Sequence, residues 1–407
     1  MNLLKRRISY LGNGDKYFYK EPLHIIKGKD VWLFDKEGKK YLDVYNNVAH
    51  VGHCNPAVVD AISQQATTLN TNTRYLHEHI VNLAEEIITS MPEGLNVCYF
   101  CCSGSEANDL AFQIARNSTG NKGCLVTSNA YHGNTTAVFQ MSPEDCSETQ
   151  RENWIGVIPG PKEYLEDATQ CIQKTKERIK ELKSHKHSVG AFIADNIFSS
   201  EGVYLPPAGY LQTLYELVRR LGGHTIADEV QSGFGRTGSF MWGFEHSQVV
   251  PDIVTLGKPM GNGHPIAAVV TTQEIADAFN NKHGYFNTFG GNPVSCAAGL
   301  AVWHYIKDNN LVDQATQVGN YFQEKLVKAI GSSDSVKDIR GSGLFIGVEL
   351  EDSILASSAV EQLMTNGVLV GQTGPNNNVI KLRPPMTFQK KHADLVVQEL
   401  KKINLNR

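Results

Sequence analysis

What this chain has little of narrows its function first. Its 407 residues carry 38 Lys and Arg against 42 Asp and Glu, a formal net charge of -4. With no basic surplus to neutralise a phosphate backbone or an anionic lipid surface, neither nucleic acid nor a membrane is expected as a partner. No run of about 18 apolar residues offers a membrane span. The N-terminus has no apolar stretch of the secretory kind, and Lys5-Arg6-Arg7 reads as solvated surface. There are only eight cysteines, scattered, and several (Cys98, Cys101, Cys124) sit inside apolar runs. That is the usage of buried thiols in a reducing compartment, not of a disulfide framework. Cys98 and Cys101 form a C-x-x-C within an apparent strand, where residues three apart point to opposite faces. No second pair completes a zinc site, so no metal is expected. Internal repeats and low-complexity segments are also lacking. The remainder is 41% hydrophobic and 20% charged, an ordinary globular composition with enough length for two domains. A cytoplasmic enzyme is the expectation.

Along the chain, residues 1–50 read as an N-terminal arm and a hairpin. V-W-L-F-D-K-E-G-K-K-Y-L-D-V sets a polar turn with Gly38 between two apolar runs. The loop N-N-V-A-H-V-G-H-C at 46–54 leads to a helix over about 56–67, and L-N-T-N-T-R-Y-L-H at 69–77 leads to another over about 78–90. From Asn96 apolar runs alternate with helical segments at 104–115, 161–184 and 208–221. Continuous apolar strands in such alternation predict an α/β fold, with a mainly parallel sheet covered by helices on both faces. This large domain is expected over residues 51–293. Helices over about 294–308, 310–330, 358–367 and from 390 onward then predict a smaller α+β domain, residues 294–407, which the N-terminal hairpin joins.

Four features sit where the strands of such a sheet would end. Ser103-Gly104-Ser105 opens a helix after a strand. Backbone N–H groups there can cradle a phosphate, or Ser103 can be a plain N-cap. Tyr131-His132-Gly133 follows the next strand, and Tyr131 offers either a ring to stack on a planar ligand or a packed turn aromatic. Asp228 closes the apolar run I-A-D, as a partner for a buried cation or as a cap. Lys258 follows D-I-V-T-L-G, and a lysine at the mouth of a buried strand can form a Schiff base. In an open α/β sheet, side chains at the carboxyl ends of strands meet in one crevice. Together, an anion cradle, a ring face, an acid and an amine are the parts needed to hold pyridoxal 5'-phosphate. A dinucleotide site is the competitor, but G-F-G-R-T-G follows an acidic turn and has no helix after it, which argues against it.

These residues resemble the class III aminotransferase family, fold type I of the pyridoxal-phosphate enzymes. S-G-S-E-A-N at 103–108, Y-H-G at 131–133, A-D-E-V-Q-S-G-F-G-R-T-G at 227–238, P-D-I-V-T-L-G-K at 251–258 and N-T-F-G-G-N-P at 287–293 stand in the family's order. The resemblance implies a seven-stranded large-domain sheet and a role for each matching position. Lys258 would hold the cofactor as an imine and carry protons, and Asp228 would pair with the ring nitrogen. Tyr131 and His132 would contact the cofactor, Tyr131 by stacking. Val230 would pack the other face and Gln231 would bond the ring hydroxyl. Ser103, Gly104 and Ser105 would cradle the phosphate. Thr288 would reach the cofactor of a second copy in a homodimer.

Within the family the chain is most similar to the ethanolamine-phosphate and phosphohydroxylysine phospho-lyases, through the 46–54 and 69–77 loops, G-K-P-M-G-N-G-H-P at 257–265 and I-K-L-R-P-P-M at 380–386. Many class III transaminases carry an arginine for the substrate carboxylate where this chain has Lys381. Arginine offers a planar fork and lysine a point charge. The resemblance implies a primary-amine substrate, with Asn46, Arg74, Asp195 and Lys381 as its contacts and Arg74 the candidate for a substrate phosphate. Two positions depart from the family pattern: Cys102 stands where Asn is usual, and Asp195 where Glu is usual. The expected reaction is elimination of phosphate from a phosphorylated amine, the alternative is transamination to a keto acid, and a non-catalytic scaffold is the remaining reading.

Overall fold

A computed structural model describes residues 2–12, 14, 17–403 and 405. Its first sheet joins the two ends of the chain. β1 (Ile25–Lys29), β2 (Trp32–Asp35) and β3 (Lys40–Asp43) run antiparallel, and residues Val368–Leu369 add in parallel beside β3. The β2–β3 turn is the predicted hairpin. Asp35 Oδ1 accepts the backbone N–H of Glu37 at 3.0 Å and of Lys39 at 2.8 Å, and Gly38 takes φ +83°, a conformation open to glycine.

The large sheet holds β4 (Leu95–Cys101), β5 (Gly123–Thr127), β6 (Ile155–Ile158), β7 (Val189–Asp195), β8 (His224–Asp228), β9 (Ile253–Leu256) and β10 (Ala267–Thr272), in the order β4-β10-β9-β8-β7-β5-β6. β9, β8, β7, β5 and β6 are mutually parallel, and β10 is antiparallel to both of its neighbours. The sheet is mainly parallel and seven-stranded. Its strands are mainly apolar because both faces are covered. In β7, Ala191 and Ile193 face one hydrophobic core while Phe192 and Ala194 face the other. Each large aliphatic buried in this way contributes on the order of 1.5–3 kcal/mol. Cys101 and Cys98 lie on opposite faces of β4, packed against different cores.

A third sheet contains β11 (Val336–Ser342), β12 (Phe345–Leu350), β14 (Gly371–Thr373) and β15 (Val379–Leu382), in the order β11-β12-β15-β14; Val368–Leu369 is β13. Several elements differ from the sequence expectation. The segment 161–184 is two helices, Pro161–Glu166 and Ala168–Ser184, because Asp167 turns extended and caps the second through Gln170 N–H at 2.9 Å. The helix expected over 358–367 is Ser353–Thr365, capped by Asp352. β6 and the helices Leu3–Leu11 and Gln273–Asn280 were not anticipated. Among the described residues no helix is long and apolar enough to cross a membrane.

Candidate active site

The parallel strands deliver their carboxyl ends to one edge. Asp195 ends β7, Asp228 ends β8, and the two are directly paired in register. Lys258 lies two residues beyond β9, Tyr131 lies beyond β5, and the helix Gly104–Thr119 starts just after β4. A cavity of about 170 Å³ forms between them, lined by Gly104, Ser105, Tyr131, His132, Asp195 and Asp228, with Val230, Gln231 and Lys258 completing its wall.

Asp228 is the best-supported group in it. Its Oδ2 accepts Nδ1–H of His132 at 2.7 Å and Nδ2–H of Asn108 at 2.9 Å, while among the described residues Oδ1 accepts only the backbone N–H of Val230, at 3.1 Å. Asn108 is buried and also donates to the His132 carbonyl at 2.7 Å, and its Oδ1 accepts Thr255 Oγ1–H at 2.6 Å. The carboxylate is thereby aimed, with one oxygen still able to accept from a ligand. His132 was expected to contact the cofactor. It lines the cavity, but its ring donates to Asp228, so its effect on a ligand passes through that carboxylate.

Ser103 also departs from expectation. Its Oγ accepts the Glu106 N–H at 3.2 Å, so the hydroxyl caps the helix, and Ser103 is not among the residues that line the cavity. Gly104 and Ser105, the first residues of the helix, line the cavity. A side chain at Gly104 would approach Val230 Cγ1 to 2.8 Å, so glycine is what lets the helix start and the cavity wall meet. Lys258 lies half-buried. Its enclosure, then the nearby Arg383 guanidinium, push its amine below the ordinary lysine value, against the pull of Asp228, Asp195 and Glu144. Asp195 turns both oxygens on its own loop, accepting N–H from Ile197 at 3.1 Å and Ser199 at 2.9 Å. Enclosure and the neighbouring Asp228 raise its carboxyl above the usual range.

A second chamber of about 1070 Å³ extends from Lys258 and Arg383 past Asn46, Tyr45 and Phe18 to the N-terminal helix. Asn46 lines it, with Oδ1 accepting the Val48 N–H at 3.0 Å. Lys381 is buried on β15, between Gly347 of β12 and Gly371 of β14, two residues from Arg383 and so on the same face. Burial and then Arg383 push its amine down to about 7; Glu144 and Asp195 oppose this and Lys258 adds to it. Arg74 and Thr288 are not brought to this chain's own cavity. Both are exposed, and the Arg74 guanidinium stacks 4.1 Å over the ring of Phe286, two residues from Thr288. Asn108 and Arg383 are the residues that the sequence reading did not single out. The available signals were a polar side chain on an apolar helix face, Asn108 among Ala107, Leu110 and Ala111, and two cations, Lys381 and Arg383, alternating with buried Ile380 and Leu382.

The family model for class III aminotransferases matches residues 17–403. The chain belongs to the class III aminotransferases. Among its relatives in that family, a Drosophila melanogaster protein named alanine–glyoxylate aminotransferase 2-like is 43% identical over 96% of this chain and 84% of its own length. A Caenorhabditis elegans protein named ethanolamine-phosphate phospho-lyase homolog 1 is 38% identical over 95% of this chain and 89% of its own. Among solved structures, an Arthrobacter phospholyase in complex with phosphoethanolamine matches with a TM-score of 0.95 and 42% identity, covering 98% of this chain and 99% of that one. A Bacillus anthracis aminotransferase matches with a TM-score of 0.87 and 28% identity, covering 98% and 97%. Class III aminotransferases are pyridoxal-phosphate enzymes of fold type I, and so is this chain. The cavity fits that cofactor by its own chemistry: a helix start opened by Gly104, an acceptor oxygen on Asp228, the half-buried ring of Tyr131 and an amine held below its ordinary protonation range.

Proposed function

We propose that this enzyme is a lyase for a phosphorylated primary amine such as phosphoethanolamine, releasing phosphate and ammonia and leaving an aldehyde. The observation that carries this reading is Lys381. It is a buried amine beside Lys258 and Arg383, with no hydrogen-bond or ion-pair partner among the described residues, and a nearby anion would favour its charged form. A buried cation without a counter-charge is costly, and a substrate anion is the group that relieves it. Lysine lacks the planar fork with which arginine grips a carboxylate, and as a point charge it can bind a phosphate. The solved Arthrobacter phospholyase supports the reading.

The roles follow from position. The cofactor, when bound, serves as an electron sink for the pair freed at the substrate carbon that bears nitrogen. Lys258 Nζ holds the cofactor and takes the proton from that carbon. Asp228 keeps a proton on the ring nitrogen, and Asn108 and His132 keep Asp228 aimed. Gly104 and Ser105 offer backbone N–H groups and the positive helix end to the cofactor phosphate, Tyr131 and Val230 flank the ring, and Gln231 meets its hydroxyl. Asn46 and Asp195 shape the substrate side. Arg74 and Thr288 act from a second copy in a homodimer, a role supported by their shared exposed face. The same reading divides the chain into a large domain (51–293) and a small one (294–407 with 1–50), and places the enzyme in the cytoplasm.

Incubation with phosphoethanolamine and no keto acid tests the lyase reading. Stoichiometric phosphate and ammonia are expected, and Lys258→Ala abolishes both together with the visible absorbance of bound cofactor. The names of relatives such as the Drosophila protein favour a second reading, transamination of an amine to a keto acid. If no phosphate is released, and amines alone convert the bound cofactor to its amine form, which a keto acid then restores, that second reading stands instead.

A further inference from the structure

Gln231 is held from three sides. Its Oε1 accepts from the Arg383 guanidinium and from Asn47 Nδ2 at 3.4 Å, and its Nε2 donates to Ser199 Oγ at 2.7 Å. A side-chain amide has two lone pairs on oxygen and two N–H bonds. Both lone pairs of Gln231 are occupied and one N–H is used, so the cavity it lines can receive only the remaining N–H. A flipped amide would set its NH₂ against the guanidinium, donor against donor. Arg383 is therefore what decides which end of Gln231 faces the ligand.

Arg383 is itself fixed. Its backbone N–H donates to the Val44 carbonyl at 2.8 Å, its Nε–H donates to the Tyr45 carbonyl at 3.0 Å, and its guanidinium lies 4.6 Å from the Tyr45 ring centroid. It is buried, it borders the chamber that opens on Lys258, and no carboxylate among the described residues forms an ion pair with it. A full positive charge thus stands one hydrogen bond behind Gln231, in a region of low dielectric where charge acts strongly.

We propose that Arg383 is a positioning residue for the cofactor: it locks the Gln231 amide with an N–H toward the cavity and sets a positive charge behind the cofactor's ring oxygen, favouring that oxygen as an anion. The proposal rests on Gln231 facing the ring hydroxyl. It is independent of whether the substrate is a phosphorylated amine. The proton on the link between Lys258 and the cofactor senses the same charge, along with Asp228, Asp195, Glu144 and Lys381. A cation nearby disfavours that proton, so removing the cation lets the proton bind at higher pH.

The test is a pH titration of the visible absorbance of the holoenzyme with no substrate present. Arg383→Met is expected to move the midpoint upward by about one pH unit or more. Arg383→Lys, which keeps the charge, restores most of the wild-type value. Gln231→Glu preserves the side-chain shape while pairing Arg383 internally, and it too moves the midpoint upward. The Arg383→Met/Gln231→Leu double variant shifts less than the two single shifts added together, as expected of one connected unit. A midpoint unmoved in Arg383→Met that still binds cofactor overturns the proposal. So does an unmoved midpoint in Gln231→Glu, even where Arg383→Met fails to fold. Phosphate release from phosphoethanolamine, measured on the same wild-type sample, reports separately on the lyase reading.

Discussion

A buried amine without a partner weakens a fold over a definite range of pH, and Lys381 shows which range. Its ordinary value of 10.5 falls to about 7 in the folded protein. Between those values the unfolded chain binds a proton that the folded chain does not, so stability rises with pH across the window, and the whole penalty is present below about 7. Lys381→Met is therefore expected to stabilise the cofactor-free protein by roughly a few kcal/mol at about pH 6. The gain should shrink steadily toward about pH 10. Melting curves of both proteins across that range check this, and a pH-independent difference would contradict it. At this scale Asp228 and Lys258 were legible because each is a charge at the mouth of an apolar strand. Asn108 and Arg383 were not, because their meaning lies in partners 120 and 152 residues away.

At the scale of elements, the helix Gly104–Thr119 unites two readings that its sequence left open. Ser103 is an ordinary N-cap, and the residues just after it line the cavity as the proposed cradle. The cradle depends on the absence of a side chain. Gly104→Ala drives a methyl into Val230 on the cavity wall, while in the helix itself alanine is favoured over glycine by about 1 kcal/mol. The expected outcome is at least about a tenfold loss of cofactor affinity, or about 1.4 kcal/mol, with the far-ultraviolet circular dichroism unchanged. Titration of the cofactor-free protein measures the first, and retained affinity would remove Gly104 from the cradle. The apolar strands of the sheet centre were readable from their continuous hydrophobic runs. β6 is a four-residue edge strand, and Ser353–Thr365 begins in a stretch with little polar contrast to mark its face. Both were missed or misplaced for want of that contrast.

At the scale of the molecule, Tyr75, Leu76 and Phe289 are large apolar side chains left largely bare beside Arg74 and Thr288. A cluster of this kind fits the proposed homodimer interface, and closed two-fold dimers are the commonest assemblies. Leu76→Asp or Phe289→Asp should shift the protein from dimer to monomer in light scattering after size-exclusion chromatography, with weaker cofactor retention. A dimer unaffected by either change would place the interface elsewhere. Strand periodicity and motif order are local properties of the chain, and they were enough to read the family, the cofactor and the placing of Asp228 and Lys258 at strand ends. Long-range packing had to be seen before Asn108 and His132 could be found on Asp228, Arg383 on Gln231, Ser103 outside the cavity lining and Arg74 exposed away from this chain's own cavity. Those outcomes depend on how side chains from the ends of β5, β8 and β9 in the large sheet meet those from β15 in the third sheet, and hydrogen-bond partners are fixed by that convergence, not by spacing along the chain.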